Sequence, residues 1–358
     1  MIRRLSIASA LALATTILTV ALSASTAFGA LKDVSLTGGG STFVLPLAST
    51  WTPSWDAMSG IGSVTYNGIG SGAGINAITG RSIDFGASDA PMTPYQQKLC
   101  NNAGGKTFKS QCLTMPWAFS GTAVAYHGTG LPNHLHVTGT VLAAIYLGQV
   151  KYWDSPRIAS LNPGKSLPHL KITPIYRSDA SGTSYNFTQY LSAVDSYWKL
   201  HIGTSTSPSW PAGQGAQKSS GVANLLKTTN GGIIYIDTAY TVKNSFYTFA
   251  VKNAAGKYVA STYASILAAT ASTKYVVTHV TGLILNVVNP PAAYPSAYPI
   301  CTYTYVIMPT VSSKAVALKK ILKWAMTKGQ SLGEDLLFAP MPVNVQNAAV
   351  SVLNRVHT

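Results

Sequence analysis

Along the chain, short runs rich in β-branched and aromatic residues alternate with runs whose apolar positions recur every three or four residues, the pattern of an α/β protein. The spacing predicts helices at Leu45–Ala57, Gly74–Ile78, Pro94–Gln97, Val141–Leu147, Ser181–Leu191, Ser219–Lys227, Tyr263–Ala269, Lys314–Thr327 and Asn344–Val356. Within Lys314–Thr327 the apolar residues fall on one face and the lysines on the other, as in a helix lying on a sheet. Ile300 to Ile307 reads as a strand, and no internal repeat or low-complexity tract interrupts the series. A different pattern opens the chain: Arg3 and Arg4, an apolar run from Leu5 to about Leu22, then small residues through Ala30. That is the make-up of a cleavable secretory signal over residues 1–30. No later stretch is long and apolar enough to span a bilayer. The remaining ~330 residues suffice for two domains of ordinary size.

At three places Gly stands beside Ser or Thr where a strand-like run gives way to a helix-like one: Gly39-Gly40-Ser41-Thr42-Phe43, Gly68-Ile69-Gly70-Ser71-Gly72-Ala73-Gly74, and Ser181-Gly182-Thr183-Ser184 after Arg177-Ser178-Asp179-Ala180. The first N–H groups of a helix lack intrahelical partners and carry the positive end of its dipole, so such segments form anion cradles. Singly, each is also what an ordinary N-cap or turn looks like. Together they suggest helix ends converging on one tetrahedral oxyanion. Gly68-Ile69-Gly70-Ser71-Gly72-Ala73 also fits a GxGxxA dinucleotide fingerprint, but Asp89 lies in Ala87-Ser88-Asp89-Ala90-Pro91 and not at the end of a second strand of the unit.

Leu36 to Phe43, Tyr66 to Gly72, Asp84 to Pro91, Ile145 to Gly148 with Trp153-Asp154, Arg177 to Ser184, and Tyr298 to Tyr303 form an ordered set that covers most of the chain. By these segments the chain resembles the periplasmic phosphate-binding protein family of the high-affinity phosphate ABC transporter. The resemblance implies a type II periplasmic-binding-protein fold: two α/β lobes joined by two crossover strands, with the ligand cleft between them. The crossings are expected near Ala123–Tyr126 and Tyr298–Val306, which gives lobe I as residues 31–122 and 297–358 and lobe II as 123–296.

The resemblance also implies the site. Thr42 and the Phe43 N–H, Ser71, and Ser181, Gly182 and Thr183 would donate hydrogen bonds to phosphate oxygens, and Arg177 would supply the one cationic fork. Asp179 would hold that guanidinium. Asp89 would select phosphate over sulfate, because near neutral pH phosphate still has a P–OH to donate to an ionised carboxylate and sulfate has none. Ala180 and Ser41 stand where the family frequently has Gly and Ala, with no expected loss of a ligand contact. The implied function is a soluble periplasmic receptor, not an enzyme, that delivers inorganic phosphate to an inner-membrane ABC permease with its cytoplasmic ATPase. The alternatives are a secreted phosphate scavenger or a phosphatase-like phosphate-binding protein. A monomer without cofactor is expected.

The three cysteines and the charges fit that setting. Cys100 and Cys112 bracket a loop-like run, and in an oxidising compartment a disulfide between them is expected; Cys301, inside a strand-like run, reads as a buried free thiol. None has CxxC spacing, and His134-Leu135-His136 has no carboxylate or Cys nearby, so no metal site is predicted. No Cys lies near residue 30 to take a lipid anchor. The formal charge of +15 falls to +13 once Arg3 and Arg4 are removed, but the basic residues are scattered, which argues against nucleic-acid binding. Charged residues make up 10% of the chain against a usual ~25%, with one Glu and nine Asp among 358 residues. Such a chain has few paired carboxylates to lose in acid, so its fold is expected to persist in a mildly acidic periplasm.

Overall fold

The computed structural model describes residues 33–103, 110–278 and 282–358; the expected signal segment 1–30 lies outside the described residues. The strands are β1 (Val34–Gly40), β2 (Ile61–Gly68), β3 (Phe85–Ser88), β4 (Cys112–His127), β5 (His136–Val137), β6 (Thr173–Arg177), β7 (Gln214–Ala216), β8 (Gly232–Asp237), β9 (Tyr247–Thr248), β10 (Ala250–Lys252), β11 (Tyr258–Val259), β12 (Lys274–Thr278), β13 (Gly282–Asn286) and β14 (Cys301–Pro309). Most join one long sheet of order β2-β1-β3-β14-β4-β8-β6-β7, and β11-β10-β5 make a small separate sheet.

β4 organises the molecule. It is buried at every position except His127, as a strand covered on both faces must be. From Cys112 to Gly121 it pairs antiparallel with β14, and from Thr122 to His127 it pairs antiparallel with β8. One strand thus serves both halves, and the change of partner at Gly121/Thr122 marks their junction. There the Thr122 N–H donates to the Ile300 carbonyl at 2.7 Å, so a second chain segment runs alongside.

The division expected at 296/297 needs correction. β12 pairs with β13, and Gly282 of β13 pairs in parallel with Thr114 in the first-half part of β4. The Leu285 N–H donates to the Tyr305 hydroxyl, which returns a bond to the Leu285 carbonyl, at 3.1 and 2.9 Å. The hairpin therefore belongs to the first half, and the chain returns to that half before Lys274.

Each half has an aromatic core under the sheet. In the first, Trp51 meets Trp55 and Trp117 with ring centroids 5.6 and 5.3 Å apart; in the second, Phe187 stacks on Tyr235 at 4.6 Å beside Tyr146 and Trp210. The helix Ala315–Met326 buries Leu318, Ile321, Leu322 and Ala325 on one face, the i, i+3, i+4 stripe read from the sequence.

The predicted Pro94–Gln97 helix continues to Asn102, started by a capping box in which Thr93 and Gln96 satisfy each other's N–H groups. Part of the run taken for a loop is therefore helical, and Cys100 on it is disulfide-bonded to Cys112, with Cα atoms 5.8 Å apart. Arg81 Nη1 approaches both sulfurs, at 3.2 Å from Cys112 and 3.6 Å from Cys100. Cys301 is free and buried. A disulfide closing so short a loop contributes at most about 3 kcal/mol on the chain-entropy account. Replacing Cys100 and Cys112 together by Ser is expected to cost up to that amount. Denaturant unfolding with unchanged slope and a lower midpoint would show it; an unchanged midpoint would contradict it.

Candidate functional site

The carboxyl ends of β1, β2, β3, β6, β7 and β8 and the helices that follow them meet at the junction of the two halves, the usual place for a ligand in an open α/β sheet. β1 ends in Gly40 at φ +142°, a conformation that turns the chain so that Ser41 and Thr42 face inward. After β2, Gly70 at φ +95° opens the helix Ser71–Thr79. A Cβ on Gly70 would come within 2.7 Å of Asp179 Oδ2, so no larger residue fits beneath that carboxylate.

From the second half, Arg177 ends β6 and Ser181 caps the helix Gly182–Val194 by accepting the Ser184 N–H at 3.3 Å. The halves touch here. The Gly72 N–H donates to the Ala180 carbonyl at 3.0 Å, and a Cβ on Gly182 would lie 2.6 Å from both Asp89 Oδ2 and Ser71 Oγ. The geometry is that of a closed cleft.

Arg177 is the cation of the site and is 3% exposed. Its Nε and Nη2 donate to the two oxygens of Asp179 at 2.7 and 2.5 Å, and Asp179 also accepts the Lys218 N–H at 2.9 Å. Burial alone would raise the Asp179 pKa, but the hydrogen bond and charge of Arg177 outweigh it and hold the carboxyl below its ordinary value. The remaining Nη1 donates to Thr42 Oγ1 at 3.1 Å and to Ser219 Oγ at 3.4 Å.

Across from it Asp89, 2% exposed, accepts Ser41 Oγ at 2.5 Å and Thr304 Oγ1 at 2.9 Å on one oxygen and Ser71 Oγ at 3.4 Å on the other. Burial raises its pKa to about 6, against those three hydroxyls and the charge of Arg177, which favour the carboxylate. A third acid, Asp237, accepts Ser219 Oγ at 2.8 Å, and burial raises it to about 8 in spite of Ser219 and Arg177.

The sequence-predicted residues Thr42, Phe43, Ser71, Asp89, Arg177, Asp179, Ser181, Gly182 and Thr183 thus lie together around one junction. Thr183 Oγ1 is buried without a hydrogen-bond partner, a donor held in reserve. The Phe43 N–H, in contrast, is bonded to Ser41 Oγ at 3.1 Å. Ser41, treated as a neutral replacement in the sequence, therefore touches both Asp89 and the first cradle. Ser219, Asp237 and Thr304 were not predicted. The only local signal was for Asp237, a lone acid ending the apolar run Gly232 to Ile236 in a chain with few acids. In chemical terms the arrangement offers hydroxyl donors, a half-neutralised guanidinium and carboxyls, which suits a protonated oxyanion.

Comparison with known proteins agrees. Residues 19–328 match the family model described as a PBP superfamily domain. The chain is 34% identical over 318 residues to the phosphate-binding protein PstS of Xylella fastidiosa, covering 88% of this chain and 83% of that one. To the phosphate-binding protein PstS of Haemophilus influenzae it is 31% identical over 315 residues, covering 87% and 90%. Its fold matches that of a high affinity periplasmic phosphate-binding protein solved with bound phosphate, with TM-score 0.71, 18% identity and coverage of 89% and 93%.

Asp89 and Asp237, raised above the ~4 of an unfolded carboxyl, bind protons in the folded chain that the unfolded chain releases. Their stabilisation is complete below that unfolded value and disappears as pH rises through about 6 and about 8. Asp179 acts in the opposite sense, but only as pH falls through its lowered folded value. The ligand-free protein is therefore expected to have a higher denaturation midpoint at about pH 5.5 than at about pH 8.5, either side of the two raised groups. Guanidinium titrations at the two pH values test this, and a higher midpoint at the alkaline pH would overturn it.

Proposed function

Since the chain belongs to the PBP superfamily and, within it, to the family of phosphate-binding proteins, we propose that it is a periplasmic receptor that takes inorganic phosphate into the cleft between its halves and passes it to an ABC permease. The single observation that carries the reading is the convergence of Thr42, Ser71, Ser181 and Thr183 with Arg177 and Asp89 on one buried junction. In the proposed complex the hydroxyls of Thr42, Ser71, Ser181 and Thr183 and the N–H groups of Phe43 and Gly182 donate to phosphate oxygens. Arg177 turns Nη1, which in the ligand-free site donates to the Thr42 and Ser219 hydroxyls, toward the phosphate, while Asp179 fixes the rest of the fork. Ser41 Oγ gives up the Phe43 N–H to the ligand and keeps its own proton on Asp89. The P–OH of phosphate donates to Asp89.

Hydrogen bonds to a charged group are worth about 1.5–3 kcal/mol each, and micromolar binding needs about 8 kcal/mol. Five or six such bonds, less the cost of association and closure, reach that level. The reading involves binding and release without bond breaking. Export through the signal segment 1–30, a monomeric state and docking on permease subunits of a phosphate ABC transporter with its ATPase complete it. Calorimetry of the refolded, ligand-stripped protein against phosphate, sulfate and arsenate tests the whole reading; no heat with phosphate would end it.

Arg177→Ala removes the one cation, so phosphate affinity is expected to fall about a hundredfold, the worth of roughly 3 kcal/mol, with the fold retained. Asp179→Asn, which loosens the fork without discharging it, is expected to lose less. Isothermal titration of both variants decides this, and equal affinity of Arg177→Ala and wild type would remove Arg177 from the site.

Selectivity gives a second test. An amide can donate where a carboxylate cannot, so Asp89→Asn is expected to narrow the gap between phosphate and sulfate. In the wild type the same effect should appear as pH falls through about 6, where Asp89 gains a proton of its own. Competition of labelled phosphate by excess sulfate at about pH 5 and 8, on either side of the raised Asp89 value, reads both. Sulfate equally excluded in every case would place the discrimination elsewhere.

A further inference from the structure

Asp237 ends β8, is fully buried, and is not among the groups placed around the anion above. Its Oδ2 lies 2.8 Å from Ser219 Oγ, and Ser219 Oγ lies 2.8 Å from Thr42 Oγ1. Its Oδ1 is buried without a hydrogen-bond partner. Arg177 Nη1 donates to the middle of this series, at 3.1 Å to Thr42 and 3.4 Å to Ser219. Each hydroxyl has one proton, so a chain from Asp237 through Ser219 to Thr42 can run in two directions.

With Asp237 neutral, its proton sits on Oδ2, the oxygen that has an acceptor. It donates to Ser219, Ser219 donates to Thr42, and the Thr42 O–H is free for the anion. With Asp237 ionised, Ser219 donates to Oδ2, Thr42 donates to Ser219, and the anion loses the Thr42 proton. It also leaves Oδ1 as an unpaired buried carboxylate oxygen, a costly state. We propose that Asp237 is a positioning residue which, by way of Ser219, sets whether Thr42 donates to the bound anion or turns its proton away. The inference rests on the phosphate reading above and deepens it.

The charged and titratable groups that act on Asp237 are Arg177, Asp89 and, on the helix it caps, Tyr240. Arg177 favours the carboxylate and Asp89 opposes it; burial outweighs both, which sets the change of direction near pH 8. The receptor would therefore hold phosphate through neutral and acid pH and weaken its grip in alkali.

Titration of inorganic phosphate into wild type, Asp237→Asn and Ser219→Ala between about pH 6 and 9.5, on either side of that change, tests it. An Asn side chain can present its amide N–H to Ser219 and so hold the neutral-form direction at every pH. The ionisation of phosphate is common to all three proteins and cancels in the ratio of their dissociation constants, and Asp89, raised to about 6, is already ionised over the range above about pH 7 where the profiles are expected to part. The ratio of wild type to Asp237→Asn is expected to be flat below about pH 7 and to climb about tenfold by pH 9.5, the worth of one hydrogen bond to a charged group. Ser219→Ala, which cuts the chain and frees Thr42, should show the same flat profile as Asp237→Asn, and it stands in should that variant fail to fold. Profiles of the variants parallel to wild type would overturn the inference while leaving the receptor intact. Absence of phosphate binding by the wild type at every pH would overturn the receptor reading itself, and this inference with it.

Discussion

A guanidinium buried to 3% exposure is the constraint around which the cleft is arranged. Taking Arg177 out of water is costly unless its donors are met, and Asp179 meets two of them in the bidentate geometry that suits a planar fork. Asp179 can do so only because Gly70 leaves space under its carboxylate and the Lys218 N–H fixes its outer oxygen. Nη1 is left over. It points at hydroxyls, Thr42 and Ser219, and not at another carboxylate, so the cation keeps part of its field for a ligand.

The fold supplies the convergence. β4 belongs to both halves, so strands that end on either side of Gly121/Thr122 bring their carboxyl termini to a common level. Hydroxyls and N–H groups do most of the donating there. A full shell of cations would give up discrimination, since any anion would answer to it, whereas hydroxyl donors and one proton acceptor respond to where the protons of the ligand sit.

What could be read from the sequence follows physical locality. Gly and Ser/Thr at helix starts are backbone chemistry within a few residues, and the predicted segments at Thr42, Ser71 and Ser181 do lie at such starts. The i, i+3, i+4 stripe of Ala315–Met326 is equally local. Thr304 meets Asp89 across 215 residues and Ser219 meets Thr42 across 177, and nothing in their own neighbourhoods marks them. Ser41 was legible as a substitution but not as a donor to Asp89. The β12–β13 hairpin went to the wrong half for a related reason: chain order says a hairpin exists, while the Gly282–Thr114 pairing and the Leu285–Tyr305 bonds say where it docks.

The three acids of the site show how far environment can separate identical side chains. Asp179 stays ionised against Arg177, Asp89 is raised to about 6 by burial that its hydroxyl donors partly offset, and Asp237, with one donor and an empty oxygen, is raised to about 8. On the proposed reading this leaves, at neutral pH, one carboxylate to hold the cation, one to receive the ligand's proton, and one acid able to give a proton. Had Asp237 been ionised as well, three negative charges would face a single guanidinium and an incoming anion. On that reading, keeping one acid neutral by burial makes an acid-lined cleft compatible with an anionic ligand.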